Sequence, residues 1–520
     1  MADSDESCDR NPSPPKELMT NADLIHADNI GDTVFSKHWL FTTLMKLIEE
    51  VDKHEEKTDE EQSEFGFDVD EDLQNELCKL WDMSMNSDVS KFLQEFKAVD
   101  ILTSLIVKSR APRVTEIVIG ILGNMACNEE ICKDMTRNQK FIDVALFLLE
   151  NPDTETLLET TRLLFTCVSS SESRAVWTAA IKADEKTFTN IKFILSSSTN
   201  TDLLKNTGEL LDKLLDVDET FCSLWGKEDL VFAIQEAMKQ IGYRVCDALD
   251  TYLHIYQLLS TTQEGVAALI ANCDDVFASL MRFLVNICED EILGLEGREG
   301  SLASAISVLN VLGMVDCDKF SLVSEDHHFM RCLLKILEAL YPRIEAKRKL
   351  KDQSSATQRN RDTSSNCGDG HIENGHDSKS AETNQMEYNV NNVSKSVDKT
   401  TESVPSSSQG NSNSDPLQEL TFDHVTSDFL YSIIQGFLVD IVKMLQSMCL
   451  CSQEQNSDET TAPAILHYLD DDCPRGRIHT MLRTLEEAEK GQETDFIKIT
   501  RDLARKYDLN RLSDIEEDDR

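Results

Sequence analysis

Five polar residues recur near the ends of successive apolar stretches, at comparable places along the chain. Side chains carried in this way on repeated elements suit hydrogen bonding and ion pairing with a bound protein segment. These candidate groove contacts are Asn124, Thr166, Lys213, Gln257 and Asn310. The chemistry that their types and spacing indicate is recognition of a protein ligand.

The elements that must carry these residues are predicted to be α-helices. Apolar residues recur at i, i+3, i+4 and i+7, the helical period, and period-two alternation is not sustained anywhere. A further apolar helix is predicted before each of the five: Val89–Val107, Phe141–Leu149, Phe188–Leu195, Leu230–Ile241 and Val276–Ile287. Their recurrence is close to the period of about 40–47 residues of armadillo and HEAT units. We therefore expect an all-α, armadillo/HEAT-like α-solenoid.

The sequence resembles armadillo repeats in one respect and departs from them in another. The third helix of an armadillo unit typically carries a Trp four residues before an Asn, and both line the groove. Here Asn124 and Asn310 keep the Asn, but Gly120 and Ile306 occupy the Trp positions. The resemblance therefore implies the fold, whereas a backbone clamp of the kind used by nuclear-import adaptors is not expected.

Composition limits the classes of partner. The formal net charge is −44, which argues against a nucleic-acid-binding surface, because phosphate contacts need clustered Lys and Arg. An acidic chain of this kind favours basic protein partners. No apolar run reaches the roughly 18 residues that span a bilayer. We expect a monomer that binds neither membranes nor nucleic acid directly.

The cysteines indicate a reducing compartment. The opening residues are acidic and polar, without the basic region and apolar core of a secretory signal. The 15 cysteines include no Cys-x-x-Cys pair, and most fall within helical patterns, so we expect reduced thiols in the core rather than ligands.

No residue set predicts catalysis. The predicted Gly-rich loop Gly294–Gly300 lacks the Lys-Ser/Thr of a phosphate-binding loop. His327 and His328 have no ligand partner at a suitable spacing and are better explained as a helix start. We expect no metal, no cofactor and no enzymatic activity.

Two local features allow alternative interpretations. Lys347, Arg348, Lys349 and Lys351 form a basic cluster that could serve as a nuclear-localisation signal. They could equally be cations that favour a helix C-terminus. Ser513 has acidic neighbours, as acidophilic kinases prefer, or it lies in an unmodified solvated tail.

Four segments together resemble one family. These are KHWLFTTLMKLIEEV, RVTEIVIGILGNMACNEEIC, TYLHIYQLL at Thr251–Leu259 and HTMLRTLEEAE at His479–Glu489. They are similar to the serum amyloid A-like 1 family over nearly the whole chain. The resemblance implies a protein of the nucleus, and of the cytoplasm as well, that promotes proliferation of synovial fibroblasts under pro-inflammatory stimulation. It implies no catalytic residue.

Composition also predicts where the repeats end. The expected organisation is a disordered segment 1–30, an amphipathic helix 31–50, an acidic linker 51–72, an armadillo-like solenoid 73–350, a disordered insertion 351–416, last solenoid helices 417–452, and C-terminal helices with an acidic tail 464–520.

Two functions remain open from the sequence. The first is a non-enzymatic interaction scaffold that binds a partner in the groove. The second is an acidic carrier or chaperone-like adaptor for basic nuclear cargo, with Glu49–Asp72 shielding the cargo's charge. An enzyme with an unrecognised site is the third and weakest interpretation, because no motif supports it.

Overall fold

A computed structural model describes residues 28–56, 69–243, 247–289, 293–295, 297–315, 327–364, 427–441 and 475–488. Within these ranges the regular structure is helical, and the only β-type pairing is an isolated bridge between Asn29 and Ser36. None of the described helices is long and apolar enough to cross a membrane. The predicted disorder of 1–30 and of the acidic tail falls almost entirely outside the described residues, as does Ser513.

The chain divides into two compact units, Met1–Ser279 and Leu280–Arg520, and the boundary falls inside one helix. The helices of the first unit are α1 Lys37–Glu56, α2 Glu71–Met83, α3 Ser87–Glu95, α4 Ala98–Lys108, α5 Pro112–Ala126, α6 Glu129–Thr136, α7 Gln139–Phe147, α8 Thr154–Ser169, α9 Arg174–Ala183, α10 Glu185–Ser197, α11 Thr201–Val217, α12 Thr220–Trp225, α13 Glu228–Ile241, α14 Asp247–Leu259 and α15 Gln263–Ala271. Helix α16, Cys273–Cys288, contains the boundary.

The first unit is built from three-helix repeats. The third helices α2, α5, α8, α11 and α14 each pack on the next, and so do the second helices α1, α4, α7, α10 and α13, with the short 3-10 turn Leu148–Glu150 joining α7 to α10. The short first helices α3, α6, α9, α12 and α15 connect each repeat to its neighbour in the chain. This nearest-neighbour stacking confirms the predicted all-α, armadillo-like solenoid.

One predicted helix is wrong. Val89–Val107 is not a single helix, because α3 ends at Glu95 and α4 begins at Ala98. Lys97 between them has a left-handed backbone, with φ at 55°. The apolar period continues across the break, since Phe92 and Phe96 both pack on Phe41 of α1. Periodicity therefore could not reveal this break, and the unit is a helix triplet rather than a pair.

The polar residues between the helices explain where most of them begin. An Asn or Asp side chain accepts a hydrogen bond from a first-turn backbone N–H, which satisfies one of the free donors of the helix start. Such caps are Asp70, Asn86, Asn128, Asn138, Asp153, Asp184 and Asn200. Pro112 starts α5 instead, at a position where no N–H is required.

Aromatic pairs join the first helices to the second helices. Trp177 of α9 meets Phe141 of α7 edge to face at 5.9 Å, and its indole nitrogen donates to Thr136 Oγ1 at 3.0 Å. Trp225 of α12 stacks on Phe188 of α10 at 4.9 Å. A Trp–Phe contact between a first helix and the preceding second helix thus recurs one repeat later, and it packs adjacent repeats together.

The second unit contains α17 Glu299–Val315, α18 His327–Ser364, α19 at residues 427–441, and α20 Arg475–Ala488. Helix α19 buries Leu430, Ile434 and Phe437 at helical spacing, and Phe437 lies 5.5 Å from Phe329 of α18. It therefore packs on α18 as a folded part of this unit.

Three helix ends differ from the predicted segment boundaries. Helix α1 extends to Glu56, into the stretch assigned to the acidic linker. Helix α18 continues to Ser364, so the beginning of the predicted insertion 351–416 is helical; residues 365–416 are outside the described residues. Helix α17 begins at Glu299, which places Gly300 in a helix rather than a loop. Charged residues obscured all three ends, because they are compatible with a solvated helix as well as with a linker.

Gly120 of α5 offers a test of the third-helix packing. A Cβ atom added there would lie 2.2 Å from the ring of Trp81 on α2, so Gly120→Ala must displace the indole. We expect a loss of about 1–3 kcal/mol in the free energy of unfolding, typical of overpacking. Urea denaturation followed by circular dichroism would measure it.

Gly436 on α19 is the matched control, because a Cβ there meets nothing within 4 Å. Gly436→Ala should stabilise the chain by up to about 1 kcal/mol through helix propensity alone. A Gly120→Ala chain as stable as the wild type would show that the indole does not pack tightly on α5.

Candidate functional site

Four of the five predicted groove contacts lie on neighbouring third helices. Asn124, Thr166, Lys213 and Gln257 belong to α5, α8, α11 and α14. Asn310 lies on α17 in the second unit, where its buried Oδ1 has no hydrogen-bond partner. The structure thus places the first four on one continuous set of helices.

Asn124 is committed to contacts inside the fold. It is buried, and its Nδ2 donates to the backbone oxygen of Trp81 and to Ser84 Oγ, both at 3.0 Å. Its Oδ1 accepts from Arg162 Nη1 at 3.2 Å. The amide therefore links α2, α5 and α8, and its hydrogen-bonding groups are already used by the chain itself.

Other polar side chains on the third helices make similar contacts with the preceding repeat. Each donates to a backbone carbonyl of the neighbouring third helix: Arg162 to Gly120 at 3.2 Å, Asn206 to Leu158 at 3.3 Å, and Tyr252 to Leu204 at 2.7 Å. With Asn124 these form a cross-repeat ladder that fixes the spacing of α2, α5, α8, α11 and α14. Sequence reasoning missed three of its members, although they recur about one repeat apart.

Thr166 and Lys213 are half-buried, and both have local partners. Thr166 Oγ1 donates to the carbonyl of Arg162 one turn earlier, at 2.9 Å. Lys213 lies 3.4 Å from Asp216 on the same helix. Gln257 is half-buried on α14. These three reach the solvent beside the ladder, whereas Asn124 does not.

The solvent-facing residues of α8, α11 and α14 make up a surface that we call the third-helix face. Residues there recur three or four positions apart, so they lie on one side of each helix. Acidic side chains outnumber basic ones: Glu155, Glu159, Asp202, Glu209, Asp212, Asp216, Asp247 and Asp250 against Arg162, Lys205 and Lys213. Short contacts join the helices, as between Lys205 and Asp247 at 3.7 Å.

Two carboxylates of this face, Glu209 and Asp212, are involved in shifted pKa values. Burial raises the pKa of Glu209, and Lys205, 3.9 Å away, only partly offsets that effect. Asp212 of α11 lies 2.6 Å from Nδ1 of His254 on α14. Burial lowers the pKa of His254, but the hydrogen bond and charge of Asp212 outweigh it and raise the pKa above the usual value. The His254–Asp212 pair thus joins two repeats most strongly when His254 is protonated.

The basic cluster predicted as a localisation signal lies on α18. Lys347 pairs with Asp428 of α19, and Arg348 pairs with Glu487 of α20. Lys349 is exposed and lies 3.5 Å from Glu345 of its own helix. Lys351 lies on the same helix. Two members of the cluster are thus engaged by helices that follow much later in the sequence.

In the part of the chain that the structure describes, no group of three His, Cys, Asp or Glu residues could hold a metal ion. The described cysteines are not joined in disulfides. The arrangement of the third-helix face supports charge-based binding.

Comparisons with known proteins agree with the sequence resemblance. The family model described as the SAAL1 C-terminal domain matches residues 187–473. Protein saal1 of Danio rerio is 41% identical over 324 residues, which cover 58% of this chain and 68% of that protein. Protein SAAL1 of Mus musculus is 39% identical over 361 residues, or 64% of this chain and 76% of that protein.

Protein SAAL1 of Homo sapiens is 39% identical over 333 residues, which cover 58% of this chain and 70% of that protein. Among solved structures, the chain is similar to a designed armadillo repeat protein at 14% identity, covering 52% of this chain and 99% of that protein with a TM-score of 0.36.

The His254–Asp212 pair predicts a pH dependence of stability. A raised pKa in the folded state means that the pair stabilises the fold below the unfolded pKa of about 6.5, and that this contribution disappears as the pH rises through the folded-state pKa. The free energy of unfolding of the wild type should therefore be larger than that of His254→Gln at about pH 6. The difference between the two should decrease at alkaline pH.

NMR titration of the His254 ring proton would give the pKa directly. Asp212→Asn keeps the size of the side chain but removes its charge, so it should lower the pKa of His254. An unchanged pKa in that variant would contradict the pairing.

Proposed function

Because the chain belongs to the SAAL1 family, the serum amyloid A-like 1 family of the sequence resemblance, we propose that it is a non-enzymatic protein-interaction scaffold. The third-helix face binds a basic segment of a partner protein. The observation that carries this proposal is the excess of carboxylates on the solvent side of α8, α11 and α14, three helices that pack one on the next. Charge complementarity of this kind steers association and selects partners.

The cross-repeat ladder determines how such a partner is recognised. Asn124 makes its hydrogen bonds within the fold, and the other ladder residues donate hydrogen bonds to helix carbonyls of the preceding repeat. The solvent side of the same helices carries carboxylates such as Glu209 and Asp250, beside Thr166 and Gln257. Binding therefore depends on Lys and Arg side chains of the partner rather than on a clamp around its backbone.

Charge removal on the third-helix face tests the proposal. The triple variant Glu155→Gln, Glu209→Gln, Asp250→Asn removes one carboxylate from each of the three helices. Exposed pairs contribute about 0.2–1 kcal/mol each, so the affinity for a synthetic Lys/Arg-rich peptide should fall about tenfold at low salt. Fluorescence anisotropy at two salt concentrations would measure this.

The matched control removes three carboxylates from the second helices, by Asp143→Asn, Glu185→Gln and Glu236→Gln. It changes the net charge equally and should leave the affinity within about twofold, because distant exposed charges are screened. Equal losses in both triples would assign the binding to the overall acidity of the chain, as in a carrier for basic cargo.

On the family resemblance we also propose a nuclear location, with a cytoplasmic fraction, and a role in promoting proliferation of synovial fibroblasts under pro-inflammatory stimulation. If the third-helix face serves that role, the triple variant should restore less proliferation to depleted fibroblasts than the control triple does. If both triple variants restored proliferation equally, the proliferation role would not depend on the third-helix face.

A further inference from the structure

A carboxylate is held by three donors in the second unit. Glu487 of α20 pairs with the Arg348 guanidinium through Oε1, which also accepts from the Tyr341 hydroxyl at 3.1 Å. Its Oε2 accepts from the Tyr431 hydroxyl at 2.6 Å. These donors come from α18 and α19, so both oxygens of one side chain are bound by residues remote in sequence. We call Tyr341, Arg348 and Tyr431 the carboxylate cradle.

The cradle is suited to an ionised carboxylate. The Arg348 guanidinium lies 5.5 Å from the centre of the Tyr431 ring, a cation–π arrangement that orients it. Burial opposes ionisation of Glu487, but the hydrogen bonds from Arg348 and Tyr431 outweigh it and lower the pKa of Glu487. Burial and the nearby carboxylate raise the pKa of Tyr431 to about 12, so its hydroxyl remains a donor. Charge-assisted bonds of this kind are among the stronger polar contacts in proteins.

The occupant of the cradle is a short helix that packs on α18 and α19. Met481 and Leu485 are its buried apolar residues among those described, and the carbonyl of Thr484 accepts from Gln435 at 2.9 Å. Arg477 of α20 also pairs with Glu338 at 2.6 Å. Isolated helices of this length are marginal in water, so α20 depends on docking for its structure.

We propose that the carboxylate cradle is a binding site for a glutamate-bearing helical segment of a partner protein, and that α20 is its intramolecular occupant. The pattern on α20 defines the partner segment: an apolar residue, a second one four positions later, and a Glu two positions after that. The partner helix binds by displacing α20. Displacement also frees Arg348, the member of the basic cluster that pairs with α20.

Freeing the cradle in the full-length chain tests the proposal. Leu485→Asp places a charge at a site that is 1% exposed, and it should release α20. Met481→Asp is an independent second release variant. Hydrogen exchange should show faster exchange at 475–488 with α18 and α19 still protected. Continued protection at 475–488 in both variants would overturn the proposal.

The probe is a labelled synthetic peptide with the natural sequence of residues 475–488. It should bind the released chain at least about tenfold more tightly than the wild type, because in the wild type α20 competes at high effective concentration. Adding Arg348→Met to the released chain should weaken binding by about tenfold or more. Lys349 belongs to the same basic run but pairs within its own helix. Adding Lys349→Met to the released chain should therefore change the affinity for the peptide by less than about twofold.

Equal binding to the wild type and the released chain, or equal effects of the two methionine variants, would overturn the cradle as a site. An unrelated helical peptide with the same apolar–apolar–Glu pattern should compete with the probe, and its Glu→Gln version should not. Failure of the Glu peptide to compete would restrict the site to α20 and overturn the claim of a partner.

Discussion

The close approach of successive third helices is the constraint on which the first unit depends. Gly120 has no Cβ, so the Trp81 ring of the preceding repeat can lie against its backbone. Gly208 admits the Tyr252 ring of the following repeat in the same way. At this separation a side chain can reach a helix carbonyl, whose second lone pair accepts a hydrogen bond beside the one within its own helix. Small residues at two contacts thus allow the cross-repeat ladder to form.

The ladder in turn decides what the third-helix face can offer a ligand. Amide and guanidinium donors that could bind a peptide backbone are used between repeats, as at Asn124 and Arg162. The side chains left at the solvent are mostly carboxylates. The two kinds of side chain therefore differ in role, because hydrogen-bond donors maintain the repeat spacing while acidic groups provide the surface charge.

The sequence predicts the stacking of repeats well and their internal contacts poorly. The third helices are long and strongly periodic, so their order and spacing follow from the apolar pattern. The first helices are short. The apolar pattern of α3 continues without interruption into α4, so the sequence does not show where one ends and the other begins. The ladder residues also differ in type and in register, from Asn124 to Tyr252, so no repeated letter marks them. The pairing of Arg348 with Glu487 could not be predicted for a different reason. The two residues are far apart in the sequence, and only the folded chain brings them together.

The distribution of the few basic residues explains how so acidic a chain can stack its repeats. Like charges on adjacent helices would repel, and several Lys side chains lie where one repeat meets the next: Lys133 with Glu172, Lys182 with Asp218, Lys186 with Glu150, and Lys192 with Asp229. Each exposed pair contributes little to stability by itself. Their placement matters more, because each Lys offsets repulsion between carboxylates where two repeats meet. An even distribution of the same Lys residues would leave these junctions without that compensation and would weaken the stacking.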